Sequence, residues 1–508
     1  MTNAVIVASL ATYLVFWAIM INMKLPLLLS LIIALPVSLF ATECDTLVKE
    51  KRYSKQQLAE DVRYLVATVA DVHPDMYHSI DKASYSLLAD SVLAALHDGM
   101  TGNEAWPVMA RLIGALNEGH SVFNYPETIV NELKGGGNYL FPVLIKEFNG
   151  NTLSVRLDAS AEDKLQPGDE ITGINGFTTK ALMDKLGSYA GGLPQYKAID
   201  ICRNLIVYLH LYGITGPYHI NYQHNGQAGG VTVNAVSWSD FRNHIAIKNK
   251  SLPKPKPVAD YQFDFLNQDK AYLILNTLTA EPAVFKQFLD SCFAVIKNKP
   301  AKRLIIDLRK NGGGNSILGQ MLLSYITDKP FRMTGGVVWK VSQEYKDQLN
   351  EKLKGEGPQK MAYYFNAKNG SVISGSGDKP LPPVHNELLY KGKVIILIGP
   401  HTFSSANMLA NTVQDYKLAT LIGEPSGEPA NDYGELAFLK LPNTGFTFTT
   451  STKQFIRANG NAKDRNPVIP DFMVKDDPAT PDDEVLDFAL VKKEAVLRIV
   501  ADTAKFRF

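Results

Sequence analysis

The sequence predicts a multi-domain α/β protein: an N-terminal helical cap, a β-rich middle module and a βα layered core. Three observations carry this reading. Within residues 55–125, Leu58, Val62, Leu65, Val66 and Val69 recur on one helical face, and residues 87–96 repeat the pattern. Residues 135–237 break into short strand-like runs separated by turn residues. From 261 to 474, apolar runs of strand length alternate with helical segments, as at 271–276, 283–297, 303–308 and 394–398. A chain of 508 residues, 45% of them hydrophobic, is long enough for more than one core. Its net charge of +1 provides no basic field for nucleic acid.

The elements follow in order. Residues 1–42 carry two apolar stretches, 4–21 and 25–41, split by Asn22-Met23-Lys24. The second has the charged start and apolar core of a secretory signal with cleavage after Ala41. An uncleaved membrane anchor or a two-segment hairpin is the alternative, because 4–21 is about long enough to span a bilayer. Either way the folded part is expected to be exported, periplasmic or extracellular. A helical domain is expected over 55–130. The middle module, 135–237, contains Pro167-Gly168-Asp169 and Asn175-Gly176, a turn, strand and hairpin-turn order that resembles the PDZ signature. Such modules take an extended peptide along a sheet edge.

Residues 248–256, with Pro253 and Pro255 among lysines, read as a linker into the βα layered core over 258–480. Residues 338–376, polar and in parts glycine-rich, read as an insertion over the cleft, 436–441 and 446–450 as a hairpin, and 481–508 as a C-terminal helical segment. Cys44, Cys202 and Cys292 make neither a disulfide scaffold nor a metal-ligand spacing.

Chemistry concentrates in two segments. Val394-Ile395-Ile396-Leu397-Ile398 is a strand covered on both faces, broken by Gly399-Pro400, after which Ser404 or Ser405 stands at the start of a helix. A serine there caps the helix or acts as a nucleophile. The second segment, Arg303 to Leu308, runs into Asn311-Gly312-Gly313-Gly314. It lacks the lysine of a P-loop and the third glycine of a dinucleotide fingerprint. Backbone N–H groups freed at such a turn suit an oxyanion hole.

These paired motifs, DLRKNGGG and then TFSSANMLANTVQDYKLATLIGEPSG, resemble the tail-specific or carboxy-terminal processing serine protease family, which includes the tricorn core. The resemblance implies a βα layered, crotonase-like protease core. It also implies Ser404 as nucleophile and the N–H groups of Gly313 and Ser405 as oxyanion donors. Many members use a Ser-Lys dyad, but no lysine stands between Lys417 and Lys440 here. The tricorn-like branch takes a histidine from the N-terminal region and an acid from near the C-terminus. Asn117-Glu118-Gly119-His120-Ser121 resembles its Gly-His turn, and Asp464 falls at its acid position, with Asp471, Glu435 and Glu428 as rival carboxylates. The expectation is therefore an exported serine peptidase with Ser404, His120 and Asp464 at its centre. It acts on protein or peptide substrates and needs no metal or nucleotide. A non-catalytic peptide- or hydrophobic-ligand-binding relative is the competing reading.

Overall fold

Two apolar faces of one short strand explain the architecture. In the 393–398 strand, Val394, Ile396 and Ile398 pack into the larger core, while Ile395 and Leu397 meet Val485 and Ala489 on the other side. Alternation along a strand sends successive side chains to opposite faces, so a strand apolar at every position must lie inside a layered sheet. Each such aliphatic side chain, once buried, stabilises by about 1.5–3 kcal/mol. The computed structural model describes residues 51–491 apart from 136, 138, 252–258, 378 and 477–481. The leader expected at 1–42 lies outside the described residues, and among those described no helix is long and apolar enough to cross a membrane.

The core sheet has six strands in the order Tyr261–Asn267, Lys270–Leu275, Arg303–Asp307, Lys393–Ile398, Thr420–Gly423 and Phe472–Met473. The first pair is antiparallel and the rest are parallel. Helices Pro282–Asn298, Ser316–Leu323 and Ser405–Tyr416 contribute to the larger core, and the helix Glu484–Val491 to the smaller one. Parallel register brings the turns that follow the 303–307 and 393–398 strands to the same edge. A crevice at the carboxyl ends of parallel strands is where ligands bind in such sheets.

A five-stranded antiparallel sheet holds Val372–Ser376, Gly336–Lys340, Thr447–Ile456 and Asp432–Lys440, with Val122–Phe123 paired to Thr447–Ile456. A third sheet, of six strands, spans 143–233. Helices Lys55–Val72, Lys82–Ala95 and Gly102–Gly114 precede it. Ser54 opens the first and Thr101 the third, each in a capping box.

Three local expectations differ from what is found. Residues 338–376 supply two strands of the five-stranded sheet and the helix Gln343–Lys352 between them, and Trp339 stacks on Tyr364 at 4.2 Å. Most of their charges lie on the surface of an aromatic-cored unit, with Lys346 and Gly357 buried in it. Within 135–237, helices Thr179–Gly187, Pro194–Arg203 and Leu205–Leu211 interrupt the strands. Short apolar runs such as Leu205 to Leu211 fit a strand or a helix equally well by pattern. The helix Trp238–Ser251 runs into the start of the expected linker, whose residues 252–258 lie outside the described ones.

Candidate active site

Ser404 sits where the buried strand has turned and the helix Ser405–Tyr416 begins, with φ 53° and ψ −128°. That backbone region is costly for a residue with a Cβ, about 1–3 kcal/mol, and persists only where its surroundings enforce it. The Ser404 side chain makes no cap hydrogen bond, which removes the helix-cap reading. Ser405 differs: its hydroxyl donates to the Gly314 carbonyl oxygen at 2.7 Å and ties the two turns together. Of the serine pair, only Ser404 keeps its hydroxyl out of a hydrogen bond among the described residues.

The glycine turn is shaped to fit against this serine. Gly313 has φ +100°, and a Cβ there would lie 2.6 Å from Ser404 Cβ and 3.0 Å from Ser405 N. Buried Asn311 closes the turn. Its Nδ2 donates to the Leu275 carbonyl at 2.9 Å, and its Oδ1 accepts the Gly313 N–H at 2.9 Å. That bond corrects part of the oxyanion expectation, because an Asx turn already uses the Gly313 donor. The Ser405 N–H, at the first helical position, has no hydrogen-bond partner among the described residues.

His120 reaches this edge from the N-terminal region, just after the helix Gly102–Gly114. The backbone carbonyl of His120 accepts from Thr449 Oγ1 at 2.8 Å, and the adjacent strand Val122–Phe123 pairs with Thr447–Ile456. The imidazole lies 4.6 Å, centroid to centroid, from the ring of Phe403, the residue before Ser404. Gly119 permits this approach, since a Cβ there would stand 2.8 Å from the Phe403 ring. Among the described residues no hydrogen bond joins His120 to Ser404.

Two buried carboxylates face the histidine. Glu118 Oε1 is 3.3 Å from His120 Nδ1 and Glu428 Oε2 is 3.6 Å from it. Glu118 also accepts the His120 N–H at 2.6 Å, the Ser121 hydroxyl at 2.6 Å and the Ser451 hydroxyl at 3.2 Å. Burial opposes its charge, but the His120 hydrogen bond, the fields of His120 and His73 and the Ser121 bond outweigh burial and hold Glu118 at about 2. Burial and the neighbouring Asp432 push Glu428 well above the usual carboxylate range. The two carboxylates beside the histidine are thus shifted in opposite directions, Glu118 down and Glu428 up.

Asp464 has other partners. Its carboxylate pairs with Arg457 and accepts the Asn466 N–H at 3.0 Å, and Arg457 also pairs with Asp415 at 2.5 Å at the end of helix Ser405–Tyr416. The Asp464 carbonyl oxygen accepts from Asn431 Nδ2 at 2.6 Å. These bonds fasten the 457–467 loop to helix Ser405–Tyr416 and to the segment following Glu428. Of the rival acids, Glu435 bonds Tyr345 and Lys453, and Asp471 accepts the Leu421 N–H. Glu118 is visible in sequence only as a turn residue, and Ser451 only as a strand residue. The signal for the latter is a Thr-Thr-Ser-Thr run in which every side chain but Thr449 is completely buried, and Thr449 nearly so. Among the described residues no cluster of His, Cys, Asp or Glu could hold a metal ion.

A serine held at a strained strand-to-helix turn beside a glycine loop, with a histidine and buried carboxylates at the same edge, defines a serine peptidase. Residues 269–474 match the model of peptidase family S41. A CPAF mutant carrying alanine in place of serine has a similar fold. It is 18% identical over 88% of this chain and 97% of its own, with a TM-score of 0.61. Mature CPAF complexed with lactacystin is 16% identical over 82% and 94%, with a TM-score of 0.58. Mature CPAF alone is 16% identical over 82% and 92%, with a TM-score of 0.56. No curated protein matches the chain.

Proposed function

We propose that this S41 peptidase cleaves peptide bonds of protein or peptide substrates through an acyl-enzyme on Ser404, with His120 as general base and Glu118 as the carboxylate that orients it. The observation carrying the reading is the strained Ser404 backbone together with a hydroxyl that caps nothing. Facing Glu118 through Nδ1 leaves His120 Nε2 to take the Ser404 proton during attack and return it to the leaving amine. The carbonyl oxygen then gains charge near the Ser405 N–H. Catalytic hydrogen bonds often close only when substrate is bound, which accommodates the open Ser404–His120 contact.

The apolar leader at 4–41 supports export. The Pro167-Gly168-Asp169 turn supports a PDZ-like, peptide-binding role for the middle sheet. The missing dyad lysine favours the competing reading, a non-catalytic peptide- or hydrophobic-ligand-binding relative. A non-catalytic peptide-binding role draws on the same open Ser404–His120 contact.

The deciding experiment is labelling with a fluorophosphonate. Wild type reacts and Ser404→Ala does not; a label that persists in Ser404→Ala removes the nucleophile assignment, and an unlabelled wild type favours the binding protein. The acid is tested separately. Glu118→Gln is expected to lower kcat by about 10²–10⁴ through loss of imidazole orientation. Asp464→Asn is expected to leave kcat within a few-fold while lowering unfolding stability by about 1–3 kcal/mol, the range for lost hydrogen bonds to charged groups. The reverse pattern returns the acid role to Asp464.

A further inference from the structure

Glu428 is buried, and its carboxyl group touches both partners of the reaction. One oxygen accepts the backbone N–H of Ser404, and the other lies 3.6 Å from His120 Nδ1. The strained φ and ψ of Ser404 must be held by its surroundings, and this contact is a side-chain bond made directly to the nucleophile's own backbone. Glu428 is itself fixed on both sides. The Gly427 N–H donates to the Thr402 carbonyl at 3.0 Å, Ser426 Oγ donates to the Glu428 carbonyl at 3.1 Å, and Asn407 Nδ2, from the nucleophile's helix, donates to the Pro429 carbonyl at 2.8 Å.

We propose that Glu428 is a positioning residue that couples the nucleophile to the base, its carboxyl holding the Ser404 turn with one oxygen while packing against the His120 imidazole with the other. The groups that share its surroundings are Asp432, Glu118 and His120, with His78 and Tyr433 lining the same cleft. Glu118 already supplies the negative charge beside the histidine, and burial, followed by crowding from Asp432 and Glu118, favours the neutral form of Glu428. The role therefore belongs to an acceptor oxygen of fixed position rather than to a second charge. This separates it from an orienting carboxylate, whose charge steadies the imidazolium.

The inference rests on the serine peptidase reading, and a graded set of variants tests it. Glu428→Gln keeps a neutral acceptor at the same reach and is expected to retain kcat and fluorophosphonate labelling rate within about five-fold, on the general rule that a hydrogen-bond acceptor of matched geometry substitutes for another. Glu428→Leu keeps the volume without the acceptor and is expected to lower both by about 10²–10³ with little change in KM, as for groups that act only on the reacting geometry. Equal loss in Glu428→Gln and Glu428→Leu, or wild-type kcat in Glu428→Leu, overturns the inference. Should Glu428→Leu not fold by near-UV circular dichroism, Glu428→Asp withdraws the oxygen by one methylene. A loss of kcat in Glu428→Asp then supports the proposal, and wild-type kcat overturns it. Wild type and Ser404→Ala run alongside: an unlabelled wild type defeats the serine assignment, whereas a labelled wild type with an equally reactive Glu428→Leu defeats only the role of Glu428.

Discussion

His120→Ala is expected to lower kcat/KM for a peptide substrate by about 10⁴–10⁶, with most of the loss in kcat, because a serine hydroxyl without its base is a weak nucleophile. Substrate contacts elsewhere in the cleft are untouched, so KM should move little. Measurement by single-turnover kinetics separates acylation from release, and the defect should appear in acylation. Folding is not expected to fail. The backbone groups of residue 120, which accept from Thr449 and donate to Glu118, persist in the alanine variant. A decrease of less than about ten-fold would mean that another group takes the serine proton, since removing a general base ordinarily costs at least about 10². Glu118, the carboxylate held charged beside His120, is then the next group to test.

The same residues show how much a single chain discloses. The segment carrying Ser404 is legible because its five-residue apolar run is short, rich in β-branched residues and closed by a glycine-proline break, which together favour an interior strand and fix where the chain turns. His120 is legible as a candidate through its motif. The carboxylate that the fold places beside it is not, because local patterns report spacing along the chain and not which side chains meet. Glu118, two residues before His120, folds back onto the N–H and ring of that histidine only because Ser121 and Ser451 hold its second oxygen. Asp464 stands at the right position in a motif, while the pull of Arg457, an ion-pair partner seven residues away, is a property of the folded loop. The 338–376 unit escapes sequence reading for a related reason: its stacking of Trp339, Tyr345 and Tyr364 joins residues too far apart for a periodic pattern.

Two adjacent glycines should respond in opposite ways. At Gly312 a methyl group would meet nothing within 4 Å, and the φ there is not positive. Gly312→Ala should therefore leave stability within about 0.5 kcal/mol and activity within a few-fold, as for surface changes away from special features. Gly313 has φ +100° and would drive a methyl to 2.6 Å from Ser404 Cβ and 2.8 Å from the Phe403 carbonyl oxygen. Neither neighbour is a flexible side-chain end, so the nucleophile's turn must shift as a unit. Strain in φ alone costs about 1–3 kcal/mol. A displacement of the serine by about 1 Å would add a loss of about 10² in rate. Gly313→Ala should therefore lower the unfolding midpoint and depress fluorophosphonate labelling even in the fraction that remains folded. Labelling at the wild-type rate per folded molecule would show that the glycine turn does not set the position of Ser404. Because the Gly313 N–H is held by Asn311 rather than left open, the expected damage arises from contact with the nucleophile and not from the loss of a donor. Asn311→Ala, which frees that N–H and leaves the glycine in place, distinguishes the two: it should lower stability through the lost Leu275 bond while labelling per folded molecule falls far less than in Gly313→Ala.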